Sequence, residues 1–242
     1  MVPEMSERFY LNWPLCPGPV EMTGPEARHL ATVCRLRAGD ELCLFNGDGH
    51  EYPARVAATS KTSVCLEVLS VLTPQRELAF YLEIAAPVPK GDRAQFLVEK
   101  LTELGVTTFV PLLCHRGVVK PGEGRIDKLH RYVIEASKQC GRNTLMRVED
   151  PVPCASYCCR GEPGEMRILA HPLGKASLET TSVCPRIRGA VGPEGGFTED
   201  EIALATAHGW QSRDLGPRIL RIETAGLFLA TSAIHQWRAA SR

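Results

Sequence analysis

The 242-residue sequence lacks a net charge: its 28 lysines and arginines are matched by 28 aspartates and glutamates. No overall positive field draws such a chain onto nucleic acid, so a nucleic-acid reader of this composition must concentrate its cations locally. No apolar run approaches the roughly 20 residues needed to cross a bilayer, and no membrane segment is expected. Residues 1–20 carry Glu4, Glu7 and several prolines. They show neither a basic start before an apolar run nor an Arg/Ser-rich amphipathic pattern, so no targeting peptide is expected and the location is read as cytoplasmic. The ten cysteines (16, 34, 43, 65, 114, 140, 154, 158, 159 and 184) form no CxxC, and the seven histidines form no HxH or HExxH. No metal site is expected from that spacing. Nor is a disulfide framework expected without a secretory signal, and the thiols read as small buried hydrophobes, with no role assigned to Cys158-Cys159. GxGxxG and P-loop patterns are missing too, which excludes a Rossmann dinucleotide oxidoreductase and a P-loop enzyme. Internal repeats and low-complexity segments are absent.

What is present divides at about residue 73. Residues 1–73 read as short strands: Glu41–Phe45 and Ser63–Val71 are β-rich, and Asn46-Gly-Asp-Gly49 is a hairpin turn signal. One helix-like stretch, Pro25 to Arg35, interrupts them, and the pattern suits a small β-barrel. Thr73-Pro74-Gln75 resembles a linker. Residues 74–242 alternate strand and helix: strand Leu78–Ala86, helix Asp92–Leu104 stopped by Gly105, strand Val106–Leu113, helix Arg125–Gln139, then short strands Arg167–Ala170 and Ile187–Val191. Thr198-Glu-Asp-Glu201 is a capping box. A last helix, starting near Thr224, is apolar nearly all round and must be covered by its own domain or by a partner subunit. Strands alternating with helices predict a parallel-sheet α/β domain.

Two segments could carry chemistry. Val191-Gly-Pro-Glu-Gly-Gly-Phe197 follows a strand and precedes the capped helix, where an open α/β sheet places its ligands. Its paired glycines permit positive φ and bring backbone amides close to a ligand; the plainer reading is a tight turn. Asp214-Leu-Gly-Pro-Arg-Ile-Leu-Arg-Ile-Glu-Thr-Ala225 leads from a strand into the last helix. Glu223 and Thr224 there suit a helix start. Arg218 and Arg221 are either surface arginines or guanidinium groups offered to phosphate beside a pocket.

Together these two segments closely resemble the ribosomal RNA small subunit methyltransferase E family. Further matches are Arg28-His29 through Cys34-Arg35 to Gly39-Asp40, Gly47-Asp-Gly49, Lys90-Gly-Asp-Arg93 with Glu99–Val106, and Glu135-Ala136 with Gln139-Cys-Gly-Arg142. The resemblance is weakest over 143–186, and the family usually has a small residue where Ile222 stands. It implies a PUA-like β-barrel followed by a SPOUT-type α/β domain with a C-terminal trefoil knot, dimerised through the knot, which would cover the last helix. It also implies S-adenosylmethionine as methyl donor and N3 of a uridine in small-subunit (16S) ribosomal RNA as target. Three loops would hold the donor: Ala170, His171, Pro172 and Leu173; Gly192, Pro193, Glu194, Gly195 and Gly196; and Leu215, Gly216, Arg218, Ile219 and Leu220.

Methylation at N3 requires orientation of the uracil and removal of its N3 proton, by a base or by cations that favour the deprotonated ring. Glu194, Glu223 and His171 are the candidate bases. Arg142 and Arg221 are the candidate cations, orienting uracil and phosphate with Glu223 fixing Arg221. Structural roles stand beside each of these: loop-amide acceptor for Glu194, helix-end electrostatics for Glu223, a packed strand end for His171. The RNA would follow two basic islands, Arg28, Arg35 and Arg37 in the first region and the run Arg116 to Arg147, including Arg116 and Arg142, in the second, together with Arg93. A solvated helix face is the plainer reading of the second island. A tRNA or ribose-hydroxyl methyltransferase and a non-catalytic RNA-binding factor are the competing readings.

Overall fold

The computed structural model describes residues 7–24, 27, 30, 34, 36–60, 62–117, 123–175 and 184–241. The expected helix Pro25 to Arg35, with Arg28 and Arg35, lies largely outside them. Two compact units form, one of Met1–Glu77 with Ser137–Leu145 and one of Leu78–Ala136 with Met146–Arg242. The first therefore takes in a short segment that the sequence pattern places within the second region.

In the first unit, β1 (Arg8–Tyr10), β2 (Gly18–Thr23), β3 (Glu41–Phe45), β4 (Tyr52–Thr59) and β5 (Ser63–Val68) make one sheet in the order β1-β3-β4-β5-β2. β1 runs parallel to β3, and the other pairs are antiparallel. Alternation decides which face is core: Val64, Leu66 and Val68 point inward while Cys65 and Glu67 face solvent, the period-two signature of a half-buried strand. Phe9, Leu42, Leu44, Tyr52 and Val56 complete that core.

Polar contacts tie the segment 137–145 to this unit. Asp48 bridges Thr144, Gly49 N donates to the Asn143 carbonyl at 3.2 Å, and Arg76 Nη1 donates to the Gly141 carbonyl at 2.8 Å. Glu51 lies buried between Arg8, at 2.5 Å, and Arg76. Burial alone would raise its pKa, but hydrogen bonds from Arg76 and Arg8 outweigh it and hold the carboxyl below its usual range. A depressed carboxylate contributes stability that is present above the unfolded pKa and lost as pH falls through the folded one. Glu51→Gln is therefore expected to flatten the acid side of the first unit's stability profile. Urea unfolding between neutral pH and the carboxylate range, followed by an N-terminal-unit probe, checks this; an unchanged slope would contradict it.

The second unit holds a parallel sheet in the order β12-β10-β11-β6-β7-β8, with β9 also on β7. Its strands are β6 (Tyr81–Ala86), β7 (Thr108–Leu113), β8 (Arg147–Val148), β9 (Val152–Pro153), β10 (Met166–Lys175), β11 (Arg186–Ala190) and β12 (Gln211–Arg213). Its helices are α1 (Asp92–Glu103), α2 (Glu123–Cys140, whose last turn joins the first unit), α3 (Cys154–Cys158), α4 (Glu199–Ala207) and α5 (Ile222–Ala240). β6 reads as an almost unbroken buried run because helices cover both its faces. Ile84 faces α1 and α5, where Gly226 permits close approach: a Cβ there would sit 3.2 Å from Leu97. Ala85, Val110, Leu169 and Ala190 pack with Tyr157, Phe197, Ala205 and Trp210 on the side of α3 and α4. No helix among the described residues is long and apolar enough to cross a membrane.

One set of buried charges crosses this sheet. Glu83 of β6 accepts hydrogen bonds from the Tyr157 and Tyr81 hydroxyls, each at 2.7 Å, and lies 3.5 Å from Arg188 of β11. Arg188 in turn lies 3.1 Å from Glu165, which also pairs with Arg167 at 2.5 Å. Burial, reinforced by the Glu83 charge, pushes the Tyr157 phenol well above its ordinary pKa, so it is fixed as a donor.

Candidate functional site

β12, β10 and β11 are neighbours in the sheet, so the chain leaving their carboxyl ends converges on one place. There a cavity of about 470 Å³ opens, lined by Ala170, His171 and Pro172, by Val191 to Phe197, and by Asp214 to Leu220, with Ile222 and Ala225 contributed by α5. Arg116, just past β7, completes the wall.

Each loop is held in shape by local rules. After β11, Gly196 adopts φ 69° and its N–H donates to the Pro193 carbonyl at 2.7 Å, closing a tight turn. Gly192 leaves room for Phe197, whose nitrogen would lie 3.1 Å from a Cβ at that position. The loop then enters α4 through the capping box: Thr198 Oγ1 accepts from Glu201 N at 3.2 Å, and Glu201 Oε2 accepts from Thr198 N at 2.8 Å. From outside, Arg116 Nη1 donates to the Gly195 carbonyl at 2.9 Å and approaches that of Phe197 at 3.4 Å. In the third loop Asp214 accepts from Gly216 N at 2.9 Å, and Gly216 takes φ 110°. The rim of that loop is open, with Ile219 94% exposed.

The cavity gathers every residue expected to hold a donor except Leu173, which lies in β10 but whose side chain is outside the described set. Arg116, Val191, Phe197, Asp214, Pro217, Ile222 and Ala225 are additions. All of these but Arg116 belong to the two segments that the sequence singles out, 191–197 and 214–225. Arg116 was counted only as part of a basic run, and its hold on the loop carbonyls had no sequence signal.

A second cavity of about 310 Å³ shares the Pro193, Glu194 and Ile222 wall and is otherwise lined by Pro87, Val88, Pro89, Lys90 and Arg93. Arg93 reaches Glu194 at 3.5 Å and the buried Glu223 at 3.9 Å. Glu223 is therefore paired with Arg93 and not with Arg221, the pairing expected from sequence, and its Oε2 has no hydrogen-bond partner. Arg221 is exposed and forms the cap position of α5, with its carbonyl accepting from Ala225 N at 2.9 Å. Thr224, offered by the sequence as a cap, is inside the helix instead, because the chain turns helical two residues earlier.

Arg142 folds with the first unit, is 4% exposed, and is clamped by Glu77 at 3.1 and 2.5 Å. Its charge is already met by a carboxylate, and it does not line the cavity. Of the remaining cations, Arg37 and Arg147 are exposed, Arg125 donates to the Val88 and Pro89 carbonyls, and Lys128 stacks on Tyr132. Lys120 lies outside the described residues.

Comparison with known proteins is specific. A family model described as an RNA methyltransferase domain matches residues 76–234, and one described as an RNA methyltransferase PUA domain matches residues 22–69. The ribosomal RNA small subunit methyltransferase E of Synechocystis is 32% identical, covering 85% of this chain and 69% of that protein. The enzyme of the same name from Bacillus subtilis is 31% identical, covering 89% of each. Among solved structures, ribosomal RNA small subunit methyltransferase E of Neisseria gonorrhoeae bound to S-adenosyl methionine superimposes with a TM-score of 0.89 at 30% identity, covering 97% of this chain and 98% of that one.

Proposed function

The chain belongs to the ribosomal RNA small subunit methyltransferase E family, and from that premise we propose that it transfers the methyl group of S-adenosylmethionine to N3 of a uridine in 16S ribosomal RNA. The observation that carries the proposal is the cavity where two glycine- and proline-bearing loops, after β11 and β12, meet Ala170–Pro172 of β10. Its volume lies within the usual range for small-molecule sites, and its walls of backbone and apolar side chains fit a nucleoside-bearing donor. When bound, the donor supplies an electrophilic methyl group on a sulfonium sulfur.

The protein's own residues then have two tasks, holding the reactants in line and managing the N3 proton. Arg221 sits one residue outside the cavity wall with its side chain in solvent, free to meet a uracil carbonyl or phosphate. Arg93, beside the second cavity, pairs with both Glu194 of that wall and Glu223. Arg221→Ala is expected to lower turnover at saturating donor by at least about tenfold, in line with loss of one positioning group. Unchanged turnover would remove Arg221 from the mechanism.

The same reading includes a C-terminal trefoil knot and a homodimer through α5. The exposed Phe228 on α5 and Phe96 on α1, on helices that pack together, support a partner surface. Residues 1–73 would serve as a PUA-like RNA-gripping domain and 74–242 as the catalytic domain, in the cytoplasm where ribosomal RNA is made. The decisive experiment incubates the purified protein with donor and either unmodified small ribosomal subunits or bulk tRNA, then digests the RNA for nucleoside mass spectrometry. 3-Methyluridine from the subunits is the expected product. Methyl label in tRNA, or on a ribose hydroxyl, would refute the proposal.

A further inference from the structure

Away from the donor cavity, the fold brings together acids that the sequence holds far apart. Cys114 follows β7, Cys154 and Cys158 are the first and last residues of α3, and Glu201 lies in the first turn of α4. The ligand atoms of Cys114, Cys154 and Glu201 all lie within 4.8 Å of one another. Cys158 Sγ is 3.9 Å from Cys154 Sγ, as i,i+4 placement on one helix face dictates. Tetrahedral zinc with sulfur at about 2.3 Å holds its ligand sulfurs roughly 3.8 Å apart.

The carboxylate is oriented as a ligand would be: Glu201 Oε1 accepts from His115 N at 3.0 Å and Oε2 from Thr198 N at 2.8 Å, which leaves further lone pairs on both oxygens. Glu201 has no ion pair among the described residues. A divalent cation would be met there by a carboxylate and by thiolates, because a coordinated thiol is deprotonated outright.

We propose that Cys114, Cys154 and Glu201, with Cys158, beside Cys154 on the same helix face, offered for the fourth position, bind a thiophilic divalent cation of the zinc class. Cys154 and Cys158 are buried, so the site is structural. It ties the end of β7 and α3 to the start of α4, directly after the Gly192–Phe197 loop. This inference does not depend on the methyl-transfer reading. The spacing 114, 154, 158, 201 matches no metal motif, which is why the sequence predicts no metal.

The test strips the full-length protein with chelator, adds Cd²⁺ or Zn²⁺, and measures bound metal by mass spectrometry and thiolate-to-Cd²⁺ charge transfer in the ultraviolet. One tightly held equivalent with a thiolate band is expected. Cys154→Ser should abolish the band, Glu201→Gln should weaken affinity by at least about tenfold, and Cys184→Ser, at a buried thiol elsewhere, should change neither. Should Cys154→Ser fail to fold by circular dichroism, Cys114→Ser gives the same readout at a half-buried position outside any helix. Uptake that is substoichiometric, or that survives either substitution because exposed Cys16 or Cys65 hold the metal, overturns the proposal. So does a Cys114–Cys154 disulfide in the protein as purified.

Discussion

A Glu83→Ala protein is expected to lose about 3–5 kcal/mol of stability in the parallel-sheet unit, the usual cost of removing one partner from a buried, hydrogen-bonded ion pair. Glu83 is 3% exposed and is the common acceptor for Tyr81 and Tyr157 and the counter-charge of Arg188. Its removal leaves the Tyr157 hydroxyl and much of the Arg188 charge without a partner, and the fully buried Tyr157 hydroxyl cannot reach water. Glu165 still faces Arg188 at 3.1 Å, so the arginine is not fully stranded and the unit should remain folded in the absence of denaturant. Glu83→Gln, which keeps an acceptor but drops the charge, should cost less. Urea unfolding of both proteins decides the matter: a loss below about 1 kcal/mol for the alanine variant would mean that the network contributes little beyond packing.

A Gly196→Val protein should keep its fold and bind S-adenosylmethionine at least about tenfold more weakly. Gly196 sits at φ 69°, where a β-branched residue is strained by about 1–3 kcal/mol. The turn can relieve that strain by breaking the Gly196 N to Pro193 O bond of 2.7 Å. Relief would swing the backbone of residues 193–196, which is cavity wall, while the capping box at Thr198 and Glu201 still starts α4. About 1.4 kcal/mol spent this way appears as a tenfold change in the dissociation constant. Calorimetric titration measures it. Equal affinity for the valine variant and the original protein would show that the turn does not shape the donor site.

Local rules made much of this architecture legible. The helix at Asp92 ends within one residue of its expected stop, beside Gly105 at φ 83°. Thr198 and Glu201 form the capping box that their spacing predicts. The strand Glu41–Phe45 is where its β-rich run places it. Short elements with weak periodicity, such as α3 and the two-residue strands β8 and β9, had no such signal, because they form only against β7 and the α4 side of the core. The cavity loops were readable for a different reason: glycine and proline at strand ends specify backbone geometry directly.

Charge was read less well. A basic residue in a sequence is equally consistent with an RNA contact, a loop clamp or a buried ion pair. Arg116, Arg125 and Arg142 were expected to serve one RNA track, yet they bind loop carbonyls, turn carbonyls and Glu77 respectively. Glu223 turned to Arg93 of α1 because packing of α1 against α5 brings those two side chains together.

The amino-acid order alone therefore determined the strand–helix alternation, the turns that build the cavity loops and, among the described residues, the absence of a bilayer-spanning helix, since all of these follow from interactions between residues a few positions apart. Tertiary structure decided which charges are paired, that residues 137–145 fold with the N-terminal sheet, and that Cys114, Cys154 and Glu201 meet. Those outcomes depend on contacts between residues tens of positions apart, and short-range spacing carries no information about them.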